Sequence, residues 1–158
     1  MFTVRLAVRT DMTALDGMFA RSYPRLLKHD YAPSVLVTAL PIISRAQPRL
    51  VTSGTFFVVE EAVDGIIGAG GWTTAGPGTG NIRHVVTDDR QVRRGVGRAL
   101  MEHVFASARV AGVQRLDCMS TIAAVPFYQA MGLAVIGPIS VPLAPGIDFP
   151  AVAMWRGL

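Results

Sequence analysis

Apolar and polar residues alternate from Phe2 to Val8, the period of a half-buried strand. The period then lengthens. Leu15, Met18, Phe19 and Tyr23 fall on one face at helical spacing, with Thr10 or Asp11 as the cap. Pro24 to Pro33 reads as an irregular crossing; Ser34 opens a second helical piece with Val35, Leu36 and Leu40 apolar, and Pro41 breaks or kinks it. After a turn from Pro48 to Ser53, Thr55–Glu60 and Ile66–Trp72 form a hairpin joined through Asp64-Gly65. Gly76 to Gly80 is a loop, and Asn81–Thr87 is the fourth strand. From Arg98 a helix places Leu100, Met101, Val104, Phe105 and Ala108 on one side and Glu102, His103 and Arg109 on the other, until Gly112 ends it. A strand over Gln114–Ser120, a short helix over Ala124–Met131 and a strand over Leu133–Gly137 follow. Pro142 to Pro150 is expected to loop back, and Ala151–Trp155 is the last strand. Strands and helices therefore alternate in a single α/β (α+β) domain spanning residues 1–158, with an antiparallel start and a parallel centre.

The most informative stretch lies where the fourth strand meets the helix: Gln91-Val92-Arg93-Arg94-Gly95-Val96-Gly97-Arg98-Ala99-Leu100. Two glycines remove Cβ atoms that would hold an anion away from the main chain. Free N–H groups of a first helical turn then point at that anion, with the helix dipole in support. Arg93, Arg94 and Arg98 add positive charge. The pattern is that of a pyrophosphate cradle, hence of a nucleotide-type ligand. A Walker loop is excluded because Gly97 is followed by Arg98 and Ala99 rather than Lys and Ser or Thr. A dinucleotide fingerprint is disfavoured because Leu100 stands where its third glycine belongs.

Ile82-Arg83-His84-Val85-Val86-Thr87 followed by Arg93-Arg94-Gly95-Val96-Gly97-Arg98-Ala99-Leu100 resembles the acetyl-CoA motif of the GCN5-related N-acetyltransferase (GNAT) superfamily. Ser120-Thr121-Ile122-Ala123-Ala124-Val125-Pro126-Phe127-Tyr128-Gln129-Ala130-Met131-Gly132-Leu133 resembles that superfamily's second signature. The resemblance implies a mixed central sheet of about seven strands, splayed between the fourth and fifth and flanked by about four helices. It also implies acetyl-CoA as cofactor. Val85 and Val86 would pair with the pantetheine arm, and the run Arg93, Arg94, Gly95, Val96, Gly97 and Arg98 would hold the diphosphate. Tyr128 would protonate the departing thiolate. Two positions depart from the pattern: Val92 holds a place usually given to Gln or Arg, and Ala123 replaces an Asn that helps hold the CoA arm.

The implied reaction is transfer of an acetyl group to a primary amine, directly in a ternary complex. An alkylammonium of pKa about 10.4 is neutral in roughly one molecule in 2,500 at pH 7, so a base is useful, and His84 is the candidate on the strand that reaches the thioester. Tyr23 and Trp72 are candidate walls of the acceptor site. The alternative is a non-catalytic acyl-CoA-binding sensor or partner-binding domain.

Composition narrows the partners. The net charge of +4 suits an anionic ligand. Nucleic acid is not expected, because no basic run exceeds two residues and Lys28 is the single lysine. No apolar run is long enough to span a membrane, and the lone Cys118, expected at a core strand position, fits a reducing cytoplasm. No metal-ligand spacing joins His29, His84 and His103, and no acidic cluster marks a polyamine site. The resemblance implies a small-molecule or protein amine as acceptor, and the 51% hydrophobic content suggests a homodimer.

Overall fold

A computed structural model describes residues 1–158. One mixed sheet of seven strands runs through the chain in the order β1-β2-β3-β4-β5-β7-β6. Its strands are β1 (Phe2–Leu6), β2 (Phe56–Glu61), β3 (Gly65–Thr74), β4 (Thr79–Thr87), β5 (Arg115–Ser120), β6 (Ala134–Ala144) and β7 (Ile147–Gly157). All neighbours are antiparallel except β4 and β5. Five α-helices accompany them: α1 (Met12–Leu27), α2 (Pro33–Ile43), α3 (Pro48–Val51), α4 (Val96–Val110) and α5 (Val125–Ala130).

The alternation of β2 decides how the sheet is covered. Phe57 and Val59 face one cluster, with Leu100, Met101, Val104 and Phe105 of α4. Phe56 and Val58 face the other, with Leu15, Met18 and Phe19 of α1. Gly112, at φ 84, ends α4; Val113 N–H reaches Ala108 O and Gly112 N–H reaches Arg109 O, both at 3.0 Å.

Three expectations change. The first helix runs through Pro24 to Leu27, because Ser22, Tyr23 and Leu27 continue its buried face and packing outweighs the lost hydrogen bond. The turn after Pro48 closes as the one-turn helix α3. Pro142 to Pro150 is not a loop but the tip of a long β6–β7 hairpin, with Ser140 opposite Pro150 and Pro142 opposite Asp148. Proline is tolerated there because β6 is an edge strand, and β7 pairs with β5 only from Val152 onward.

β4 and β5 pair for only three residues, Thr79–Asn81 against Arg115–Asp117, and then part. On its other side β4 carries a bulge: Ala69 opposes Val86 while Gly71 opposes Arg83, so His84 and Val85 share one partner position. The bulge needs a small residue in β3, since a Cβ at Gly70 would lie 3.1 Å from Val85 Cα; the next glycine is pressed from the β2 side instead. A Cβ at Gly71 would sit 2.7 Å from Phe56 Cα and run into the Thr55 carbonyl, which is fixed by Trp72 N–H at 3.0 Å. Gly71→Ala is therefore expected to lower the unfolding free energy by about 2 kcal/mol or more, checked by urea denaturation.

Candidate acyl-donor and acceptor site

The parting of β4 from β5 opens a cavity of about 510 Å³. Val85 and Val86 of β4 form one wall, Tyr23, Leu26 and Leu27 of α1 another, and Thr121, Ala123, Ala124, Phe127 and Tyr128 the side of α5. Gln91, Val92, Arg93, Val96 and Gly97 close the end at the β4–α4 loop.

That loop is built around left-handed backbone at Arg93 (φ 67) and Gly95 (φ 80). Gly95 tolerates this conformation, whereas Arg93 is strained in it. The main-chain N–H groups of Arg93, Gly95, Val96, Gly97 and Arg98 have no acceptor in the chain; donation resumes at Ala99, which reaches Gly95 O at 3.0 Å. Consecutive unpaired donors at the start of a fifteen-residue helix are a donor set of the kind that suits an anion. The two glycines divide the work. A Cβ on Gly95 would meet open space, so that glycine serves the turn. A Cβ on Gly97 would lie 2.8 Å from Phe127 Cε1, so that one lets α5 close against α4 rather than making room for an anion.

The three arginines also separate. Arg94 donates to Glu61 Oε2 at 2.9 Å and to Gln91, which in turn donates to Asp64. It fastens the loop to the β2–β3 hairpin instead of reaching a phosphate. Arg93 lines the cavity and carries no ion pair, while Arg98 lines a separate basic groove with Arg109 and Arg156.

Residues that the sequence reading passed over hold the loop from the other side. Arg21 donates to Asp88 Oδ2 at 2.5 Å, Arg25 donates to Asp89 Oδ2 at 3.2 Å, and Asp89 N–H donates to Ser22 Oγ at 3.2 Å. Burial opposes charge on the inaccessible Asp88, but hydrogen bonds from Arg90 and Arg21 overcome it and hold the carboxyl at about 2. Arg21 and Arg25 one helical turn apart, and adjacent Asp88 and Asp89, were the signal. Nothing in the sequence joined one pair to the other.

Tyr128 is buried yet meets the cavity. Burial, reinforced by the neighbouring Cys118, raises its phenol well above the ordinary range, so it stays protonated at neutral pH. Burial likewise raises Tyr23. The Cys118 thiol is pushed up to about 12, that of an inert core residue, as expected.

Two expected site residues stand elsewhere. Trp72 lies in the α4-side core, its indole donating to Ser107 Oγ at 3.1 Å, and does not border the cavity. The indole has a polar partner there, which makes it a packing residue. His84 is left-handed (φ 52) at the bulge. Its ring packs 4.5 Å from Phe19 and 5.7 Å from Tyr23, Nε2 lies 2.8 Å from Ile43 O, and the residue is absent from the cavity wall. The expected base thus packs, partly exposed, between β4, α1 and the end of α2, off the cavity wall.

Residues 52–132 match the acetyltransferase (GNAT) domain family. The chain belongs to that family. Curated proteins give no sequence match. Among solved structures, the chain is similar to a GCN5-related N-acetyltransferase from Rhodopseudomonas palustris, with a TM-score of 0.79 at 18% identity, over 99% of this chain and 95% of that one. It is similar to Ard1 from Thermoplasma volcanium, with a TM-score of 0.71 at 18% identity over 99% and 97%. It is also similar to a PaiA N-acetyltransferase from Thermoplasma acidophilum solved with coenzyme A, with a TM-score of 0.72 at 11% identity over 100% and 99%. At these identities the structural likeness shows the fold, which is the splayed sheet described above. No helix is long and apolar enough to cross a membrane, and no group of three or more His, Cys, Asp or Glu could hold a metal ion.

Burial lowers the pKa of His84, whereas an unfolded chain returns it to its ordinary value. The unfolded state then binds the extra proton, so stability is full above about pH 6.5 and falls as pH drops below it. His84→Gln is expected to flatten this limb, read as Tm between pH 5 and 7.5. A wild-type Tm independent of pH over that range would refute the assignment.

Proposed function

We propose that this chain moves an acetyl group from acetyl-CoA to a primary amine by direct transfer in a ternary complex. One observation carries the reading: four consecutive unpartnered N–H groups, Gly95 to Arg98, stand at the end of the cavity that Val96, Gly97 and Tyr128 border at the parted strands. The residues fit the cofactor. The donors of the α4 N-terminus suit a diphosphate, with Arg93 adding charge, and the open edge of β4 at Val85 and Val86 suits an amide-bearing arm. Acetyl-CoA, when bound, supplies an activated thioester.

The chain's own part is positional and protic. Leu26, Leu27, Phe127 and the two valines exclude water from the thioester carbonyl. Tyr128, kept protonated, holds its proton for the sulfur. Tyr23 borders the same space and is proposed as an acceptor wall. A cytoplasmic setting, supported by the single buried thiol, and a homodimer, supported by exposed Met119, Ile136 and Trp155, belong to the same proposal.

Acetyl-CoA is expected to bind the purified protein by calorimetry and to release CoA thiol with at least one member of an amine panel. Tyr128→Phe is expected to lower kcat about 10²-fold while leaving the Kd for acetyl-CoA unchanged. Binding without thiol release would favour the sensor reading. Unchanged kcat in Tyr128→Phe would remove the acid role, and no binding at millimolar ligand would end the proposal.

A further inference from the structure

The cavity wall contains no Asp, Glu, His or Lys. Its ionisable side chains are Tyr23 on α1, Tyr128 on α5 and Arg93 on the β4–α4 loop. The groups packed behind it are already committed. His84 of β4 is held at Ile43 O, Cys118 of β5 lies beside Tyr128, and Asp88 and Asp89 answer Arg21, Arg90 and Arg25. An ammonium brought among Tyr23, Leu26, Leu27 and Phe127 would thus find neither a counter-ion nor a base, and burying an unpaired charge is far costlier than burying a neutral amine.

We propose that the acceptor is a weakly basic primary amine taken up in its uncharged form, a peptide α-amine or an aromatic amine rather than an alkylammonium such as a lysine side chain. The proposal rests on the transferase reading above and specifies its acceptor. Proton balance requires no further group. The C–N bond forms as the C–S bond breaks; nitrogen loses one proton and sulfur gains one. A neutral amine brings that proton with it, and the Tyr128 hydroxyl, giving one proton at sulfur and taking one back from nitrogen, restores itself in the same turnover. An ammonium would bring a second proton for which the wall offers no acceptor.

Two peptides of otherwise equal sequence test this, one with a free α-amine and no lysine, the other Nα-acetylated with one lysine. At pH 7 the neutral fractions of an α-amine (pKa about 7.7–8.0) and a lysyl amine (about 10.4) differ roughly 200- to 400-fold. kcat/KM per total amine is expected to differ by a comparable factor, and for the lysyl peptide to rise about tenfold per pH unit from pH 7 to 9. An aromatic amine, neutral throughout, is expected to give a kcat/KM independent of pH over that range; its rate beside that of the α-amine peptide separates the two acceptor sources. A second readout does not depend on turnover. In calorimetry of the CoA-saturated protein at pH 7, the lysyl peptide is expected to release about one proton for each molecule bound, read from buffers of different ionisation enthalpy. Equal kcat/KM for the two peptides, a flat lysyl profile, or binding without proton release would overturn the proposal. Failure of the transferase reading is distinguishable, since it shows as no acetyl-CoA binding and no product with any amine, and would take this proposal with it.

Discussion

Parallel strands in a buried sheet ordinarily satisfy each other's main chain along their whole shared length, because an unpaired buried N–H or C=O is costly. β4 and β5 do so for three residue pairs only. Every feature of the site depends on that early parting. It opens the edge of β4 at Val85 and Val86, creates the space bordered by Tyr128, and leaves the end of β4 free to turn into the loop that starts α4. The open edge is a stretch of strand without its neighbour.

The parting persists because both sides of the opening are braced from elsewhere. β5 is paired through Ser120 with β7, so it needs nothing from β4 beyond Asp117. β4 is held by β3 across the bulge. The loop beyond it is fastened twice, to α1 through Arg21–Asp88 and Arg25–Asp89, and to the β2–β3 hairpin through Arg94–Glu61. Surface pairs of this kind are individually weak. Asp88 is different, since it is inaccessible to solvent and its charge is compensated by two arginines, so removing a partner would leave a buried carboxylate exposed to the full desolvation penalty. The loop is thereby set before any ligand arrives, which spares binding the cost of ordering it.

The conversion of charge into structure explains why a chain with fourteen arginines and one lysine presents so few free cations at the cavity. Arg21, Arg90 and Arg94 are spent on carboxylates around the loop, leaving Arg93 on the cavity wall. The walls beyond it are mostly apolar, with the phenols of Tyr23 and Tyr128 and the uncharged polar side chains of Thr87, Gln91 and Thr121. Such a site offers main-chain donors at one end and a largely apolar space at the other, where burial and not a neighbouring charge sets protonation state.

How much of this could be read from residues alone follows from how local each signal is. The cradle was legible because a left-handed Gly95 and the first turn of α4 are decided within a few residues, and Tyr128 because it stands in a short signature. The β6–β7 hairpin was not, since prolines at 138, 142 and 150 read as breakers until an edge strand excuses their missing donors. The roles of Gly97, Arg94, Trp72 and His84 were equally hidden. Each depends on a partner distant in sequence: Phe127, Glu61, Ser107 and Ile43. Periodicity and backbone chemistry, which are properties of neighbouring residues, determined by themselves that this chain alternates strands and helices and offers free amides to an anion. Which side chains reach the cavity, which arginines remain unspent, and that no base stands on the wall were decided only by tertiary packing, because burial and pairing are properties of surroundings that no stretch of sequence contains.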